Sequence, residues 1–122
     1  MTLQELYSLI GGDYDQAVRV LRMDKLIDKH IRKLPTNGVV DGLLDAAKRM
    51  DPSELFDAAH AMKGVCANLG LVSLSEMASQ ITEEFRPGRP RNLSDAQVSE
   101  IVGKIEETYN KTLDGIQKYE QG

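Results

Sequence analysis

Residues 55–70 read Leu55-Phe56-Asp57-Ala58-Ala59-His60-Ala61-Met62-Lys63-Gly64-Val65-Cys66-Ala67-Asn68-Leu69-Gly70. Set on a helix at about 100° per residue, this stretch separates into two unlike faces. Leu55, Ala59, Met62, Cys66 and Leu69 recur with 4-3-4-3 spacing, the seam that a helix turns toward the interior of a bundle. His60, Lys63, Gly64 and Ala67 fall on nearly the opposite side, with Phe56 one turn before His60. The imidazole lies roughly 140° from the centre of the seam, so it is expected to face solvent.

Immediately upstream, Asp51-Pro52-Ser53-Glu54 places a capping carboxylate, a proline at the first helical position and a glutamate at the third. The motif helix is therefore predicted over about residues 52–69, with Gly70 ending it. Downstream, Ser73-Leu74-Ser75-Glu76 reads as a capping box for a helix carrying Leu74, Met77, Ile81 and Phe85, and Pro87-Gly88-Arg89-Pro90 breaks the chain. Ser94-Asp95-Ala96-Gln97 opens a last helix whose stripe is Val98, Ile101, Val102, Ile105, Tyr109, Thr112, Ile116 and Tyr119.

On the other side, a short amphipathic piece, Leu3 to Ile10, stops at Gly11-Gly12. Asp13 or Asp15 then caps a stretch bearing Val18, Leu21, Leu26, Ile27, His30, Ile31 and Leu34, which Pro35 ends. Thr36-Asn37 supplies the next cap, before a helix with Val40, Leu43, Leu44, Ala47 and Met50 on one face. Period-2 alternation is absent. The fold class is all-α: an up-and-down antiparallel four-helix bundle with additional N-terminal helices packed at one end.

The 122 residues allow one domain with one core, spanning residues 1–122. Hydrophobic residues at 41% and charged residues at 28% suit a folded helical protein rather than a disordered one. A net charge of -4 argues against nucleic acid as a partner, because phosphate backbones are bound through clustered Lys and Arg. No apolar stretch approaches the roughly 20 residues of a bilayer span, and the start MTLQELYSLIGG lacks a basic signal-peptide region. A cytoplasmic location without membrane attachment is expected. The single cysteine, Cys66, cannot form an internal disulfide and is expected to be a small buried hydrophobe.

Spacing alone leaves His60 either a functional imidazole or an ordinary surface one. Its surroundings bear on the choice: Gly64 inside a helix costs up to about 1 kcal/mol relative to alanine and, with Ala67 beyond, leaves the ring accessible. Such a patch suits phosphoryl transfer, where catalysis is mostly positioning and charge neutralisation. Imidazole offers a free lone pair near neutral pH, and Lys63 at i+3 can set an ammonium beside phosphoryl oxygens.

At these residues, Ala59-His60 followed by Lys63-Gly64 and Asn68-Leu69-Gly70, the sequence resembles the histidine-containing phosphotransfer (HPt) domain family, over roughly residues 24 to 86. The resemblance implies that His60 is the phosphoacceptor, on its distal ring nitrogen. It also implies that Lys63 supports the phosphoryl group and that Gly64 permits docking of a receiver domain. Phe56 and Ala67 on the acceptor face are further docking candidates, as are Thr82 and Arg86 from the next helix. Arg89 and Arg91 belong to a basic loop that is more simply solvated. The implied partners are receiver domains of response regulators or hybrid histidine kinases. The implied cofactor balance is none on this chain and Mg²⁺ on the receiver. Self-phosphorylation from ATP is not expected, since no glycine-rich nucleotide loop is present, and a monomer is expected because four long helices in one chain can close a core alone.

Three other readings compete. A di-metal bundle needs two Glu-x-x-His motifs facing inward, and the chain offers only Asp57-x-x-His60 on the outer face. A docking-only module would keep the bundle and lose the relay chemistry. A separated substrate domain of a chemotaxis-type kinase would use the same histidine with a different donor.

Overall fold

Most helix starts are closed by a neighbouring side chain in the computed structural model, which describes residues 1–122. Thr2 and Glu5 form a reciprocal capping box at α1 (Leu3–Ile10), and Gly11 ends that helix in the left-handed conformation at φ 71°. Asp13 accepts from the Gln16 amide to start α2 (Tyr14–Leu21). Asp51 accepts from the Glu54 amide at 2.9 Å to start α5 (Pro52–Asn68). Ser94 and Gln97 form the second box, opening α7 (Asp95–Gln121). Between these lie α3 (Asp24–Lys33), a 3-10 turn (Leu34–Thr36), α4 (Val39–Arg49) and α6 (Val72–Glu84); there is no strand.

Helices α4 to α7 close an up-and-down ring in which α4 packs on α5, α5 on α6, α6 on α7 and α7 back on α4. The seam expected for α5 is the one observed: Leu55, Ala59, Met62, Cys66 and Leu69 are buried, together with Leu43, Leu74, Ile81, Ile105 and Ile116 from the other three helices. At about 1.5 Å per residue the 27-residue α7 is roughly 40 Å long, whereas the 17-residue α5 is roughly 25 Å. The surplus length of α7 is a shelf for the N-terminal helices. Gly115 receives α1 so closely that an added Cβ would stand 2.4 Å from Cγ2 of Ile10. Asp28 on α3 accepts from the Tyr119 hydroxyl at 2.5 Å.

The N-terminal helices also hold the end of α5. The buried Tyr7 hydroxyl donates to the Leu69 carbonyl at 2.6 Å, Gln16 donates to the Ala67 carbonyl at 2.9 Å, and the Asp13 amide donates to the Gly70 carbonyl at 2.7 Å. Gly70 is required there, because its φ is +69° and a Cβ would stand 2.1 Å from the Asp13 carbonyl oxygen.

Three local expectations are corrected. The stretch from Asp13 to Leu34 is two helices, because Arg22 turns to φ 75° and Met23 is extended. The break lets α2 lie across the end of α5 while α3 turns Ile27 and Ile31 into the core. The Ser73 box does not form: α6 begins at Val72 after Leu71 with no side-chain cap, and the Ser75 hydroxyl donates instead to the Lys63 carbonyl at 3.4 Å. Asn37 accepts from the Val39 amide at 3.0 Å, but the cap position itself is Gly38.

Candidate functional site

The outer face of α5 presents His60 as an exposed side chain. Phe56, one turn earlier, is half-buried and lies almost parallel to the imidazole, with ring centroids 5.8 Å apart and 14° between the planes. The guanidinium carbon of Arg86, at the end of α6, lies 5.5 Å from the Phe56 ring centroid. Imidazole, phenyl and guanidinium thus form a row along the edge where α5 meets α6. Aromatic and cation–π contacts of this kind contribute about 0.5 to 1.5 kcal/mol each and limit the rotamers the rings explore.

Lys63, one turn after His60, is half-buried and forms no ion pair within 4 Å. Gly64 is exposed, and a Cβ added there would meet nothing within 4 Å. Packing within the chain therefore does not account for a glycine at that position. Gly42 and Gly103 are equally open, but Gly64 alone shares the helix face of His60. Ala67 is half-buried, with its carbonyl engaged by Gln16.

Thr82 is a correction. It is fully buried, and its hydroxyl donates to the Ala78 carbonyl at 2.8 Å, so it belongs to the core and not to a docking surface. The burial stripe of α6 runs through Leu74, Ala78, Ile81 and Thr82, which takes Thr82 inward. Arg86 does reach the acceptor edge, but bound: its Nε lies 2.5 Å from Oε2 of Glu83. Glu83 was not singled out by the sequence pattern. The hydrogen bond from Arg86 holds its carboxyl below the usual carboxylate range, and the charges of Arg86, Arg89 and Lys63 add to the effect. Arg89 approaches Glu83 at 3.7 Å.

Arg91 is not a free basic residue either. It pairs with Glu84 at 2.8 Å and Asp95 at 3.1 Å and covers the Phe85 ring. Burial by itself would raise the Glu84 carboxyl, but hydrogen bonds from Arg91 and from the Leu93 and Asn92 amides outweigh it and the net direction is down. That one buried carboxylate organises the loop between α6 and α7.

At the far end of α5 a crevice of about 250 Å³ is lined by Leu21, His30, Lys33, Asn37, Val65, Asn68 and Leu69. His30, the second histidine, is therefore placed by α3 near the end of α5 and away from the aromatic row. Asn68 is exposed and makes no side-chain hydrogen bond within the chain. The Cys66 thiol is buried and pushed up to about 12 by desolvation, which leaves it unreactive. No group of three or more His, Cys, Asp or Glu side chains is placed to hold a metal ion, and no helix is long and apolar enough to cross a membrane.

No curated protein and no solved structure gave a significant match to the chain. A family model described as the Hpt domain matches residues 22–115, from the Arg22 break through most of α7, with α1 and α2 outside it. The exposed His60 on the second helix of a four-helix ring, with Lys63 and Gly64 beside it, lies within that span, and the chain belongs to the Hpt domain family.

Proposed function

We propose that this chain is a phosphocarrier of a two-component phosphorelay and that His60 carries the phosphoryl group. The observation that carries the reading is the exposed imidazole on α5, steadied by Phe56, with the unpaired ammonium of Lys63 one turn on and the open backbone of Gly64 beside it. Membership of the Hpt domain family supports histidine phosphotransfer as the chemistry and receiver domains as partners.

In the proposed step the lone pair of the distal imidazole nitrogen attacks the phosphorus of a receiver's aspartyl phosphate. The P–N bond forms as the acyl P–O bond breaks, the electron pair leaves with the aspartate carboxylate, and the ring proton stays on the other nitrogen. The reverse step delivers the group to a receiver aspartate. Lys63 offsets charge on the equatorial oxygens, and Gly64 admits the partner's backbone. The receiver supplies Mg²⁺ and the acidic groups that hold it. On this reading the chain is a cytoplasmic monomer with no ATP-dependent kinase activity of its own.

The test is to incubate the protein and its His60→Gln variant with a phosphorylated receiver domain and Mg²⁺. Acid-labile, base-stable phosphate is expected on the wild type alone. ATP and Mg²⁺ without a partner are expected to label neither protein, and labelling under those conditions would remove the division of labour proposed here. If receivers label neither protein, the docking-only reading takes its place.

A further inference from the structure

Two cations stand near His60, and they are in different states. Lys63 has no ion pair, whereas Arg86 is held by Glu83 at 2.5 Å and laid over Phe56. Extending the carrier reading, we propose that Glu83 is a positioning residue that parks Arg86 on Phe56, so that a phosphoryl group on His60 must compete with a carboxylate for the guanidinium.

The separations given above, 5.8 Å and 5.5 Å, put the guanidinium carbon at most about 11 Å from the imidazole centroid. The Debye length at physiological salt is about 8 Å, so charges at this range act on each other in partly screened form. Phosphorylation places a group of roughly two negative charges on the imidazole. Glu83 opposes it in two ways: its own negative charge repels the phosphoryl oxygens, and its hydrogen bond withholds Arg86 from them. The Glu83 side chain is 40% exposed and that of Arg86 41%, so the pair is dynamic and its influence modest. The consequence is a carrier that does not hold its cargo too firmly. Transfer exchanges an acyl P–O bond for a P–N bond with nothing else consumed, so the equilibrium constant of transfer reports the effect of Glu83 on the phosphorylated state.

The experiment measures that constant for the full chain against one phosphorylated receiver, with wild type, Glu83→Gln, Arg86→Met, the double variant and His60→Gln. Glu83→Gln is expected to move the equilibrium toward the phosphorylated carrier by about two- to fivefold, the range of exposed ion pairs. The shift is expected to be smaller in the Arg86→Met background, where only direct repulsion remains, and to shrink as salt is raised. An unchanged constant in Glu83→Gln overturns the proposal, as does an equal shift with Arg86 removed, which leaves only direct repulsion. Failure of the carrier reading looks different: wild type takes no more label than His60→Gln, whatever stands at position 83.

Discussion

The ring of Phe56 lies 5.8 Å from the imidazole of His60 with only 14° between their planes, so the acceptor shares one face of its ring with a phenyl group of its own helix. An aromatic pair of this kind contributes about 0.5 to 1.5 kcal/mol. Phe56→Ala is therefore expected to slow phosphoryl transfer about two- to tenfold through loss of ring orientation. Transfer kinetics beside thermal melts check this, and an unchanged rate would show that the stack does not position the imidazole.

Two glycines on either side of the α5 terminus should respond in opposite senses. Gly70→Ala places a Cβ 2.1 Å from the Asp13 carbonyl oxygen at a φ of +69°, and a loss of about 2 kcal/mol or more is expected in denaturant melts. Gly64→Ala meets nothing and is expected to gain up to about 1 kcal/mol. Gly64→Gln should leave stability near that of wild type while slowing transfer, and undiminished transfer would remove the proposed role of Gly64 in docking.

Leu55 and Met62 are fully buried on the seam opposite His60. Replacing either by Ala is expected to cost about 2 to 5 kcal/mol, read from chemical denaturation. His60→Gln, on the exposed face, loses only the stack on Phe56 and is expected to cost no more than about 1.5 kcal/mol. Equal losses at the two faces would overturn the facing of the helix.

Glu84 links pH to the loop between α6 and α7. Its folded carboxyl lies below the ordinary glutamate value of 4.5, so its contribution is complete above that value and is lost as pH falls through the lower folded one. Glu84→Gln is expected to cost about 1 to 3 kcal/mol at neutral pH, because a buried acceptor of bonds from Arg91, Asn92 and Leu93 is weakened. The gap between variant and wild type should narrow below pH 4.5 in denaturation curves, and a gap independent of pH would contradict the assignment.

What could be read from the chain was what is encoded locally. The Leu55-to-Leu69 seam, the Asp51 cap, the Gly11 stop and the Ser94 box each depend on residues within a turn or two of one another, and each is found where the pattern puts it. The break at Arg22-Met23 carries no Gly or Pro and so no local signal; it separates α2, which packs on the end of α5, from α3. Thr82, a docking candidate only by family resemblance, is inward because the buried stripe of α6 runs through Ala78 and not Met77, and the four-residue step from Ala78 leads to Thr82. The stacking of Phe56 on His60 follows from the one-turn spacing, but the Glu83 and Arg86 pair at the same edge depends on how α6 lies against α5, which no single helix records.

The chain has two histidines, His30 and His60, and the account assigns the phosphoryl group to one of them. The most direct measurement is to phosphorylate the protein from a receiver domain with Mg²⁺ and locate the phosphate by mass spectrometry under basic conditions. The account predicts phosphate on the peptide containing His60 and none on the peptide containing His30; phosphate on His30, or on neither, would contradict it.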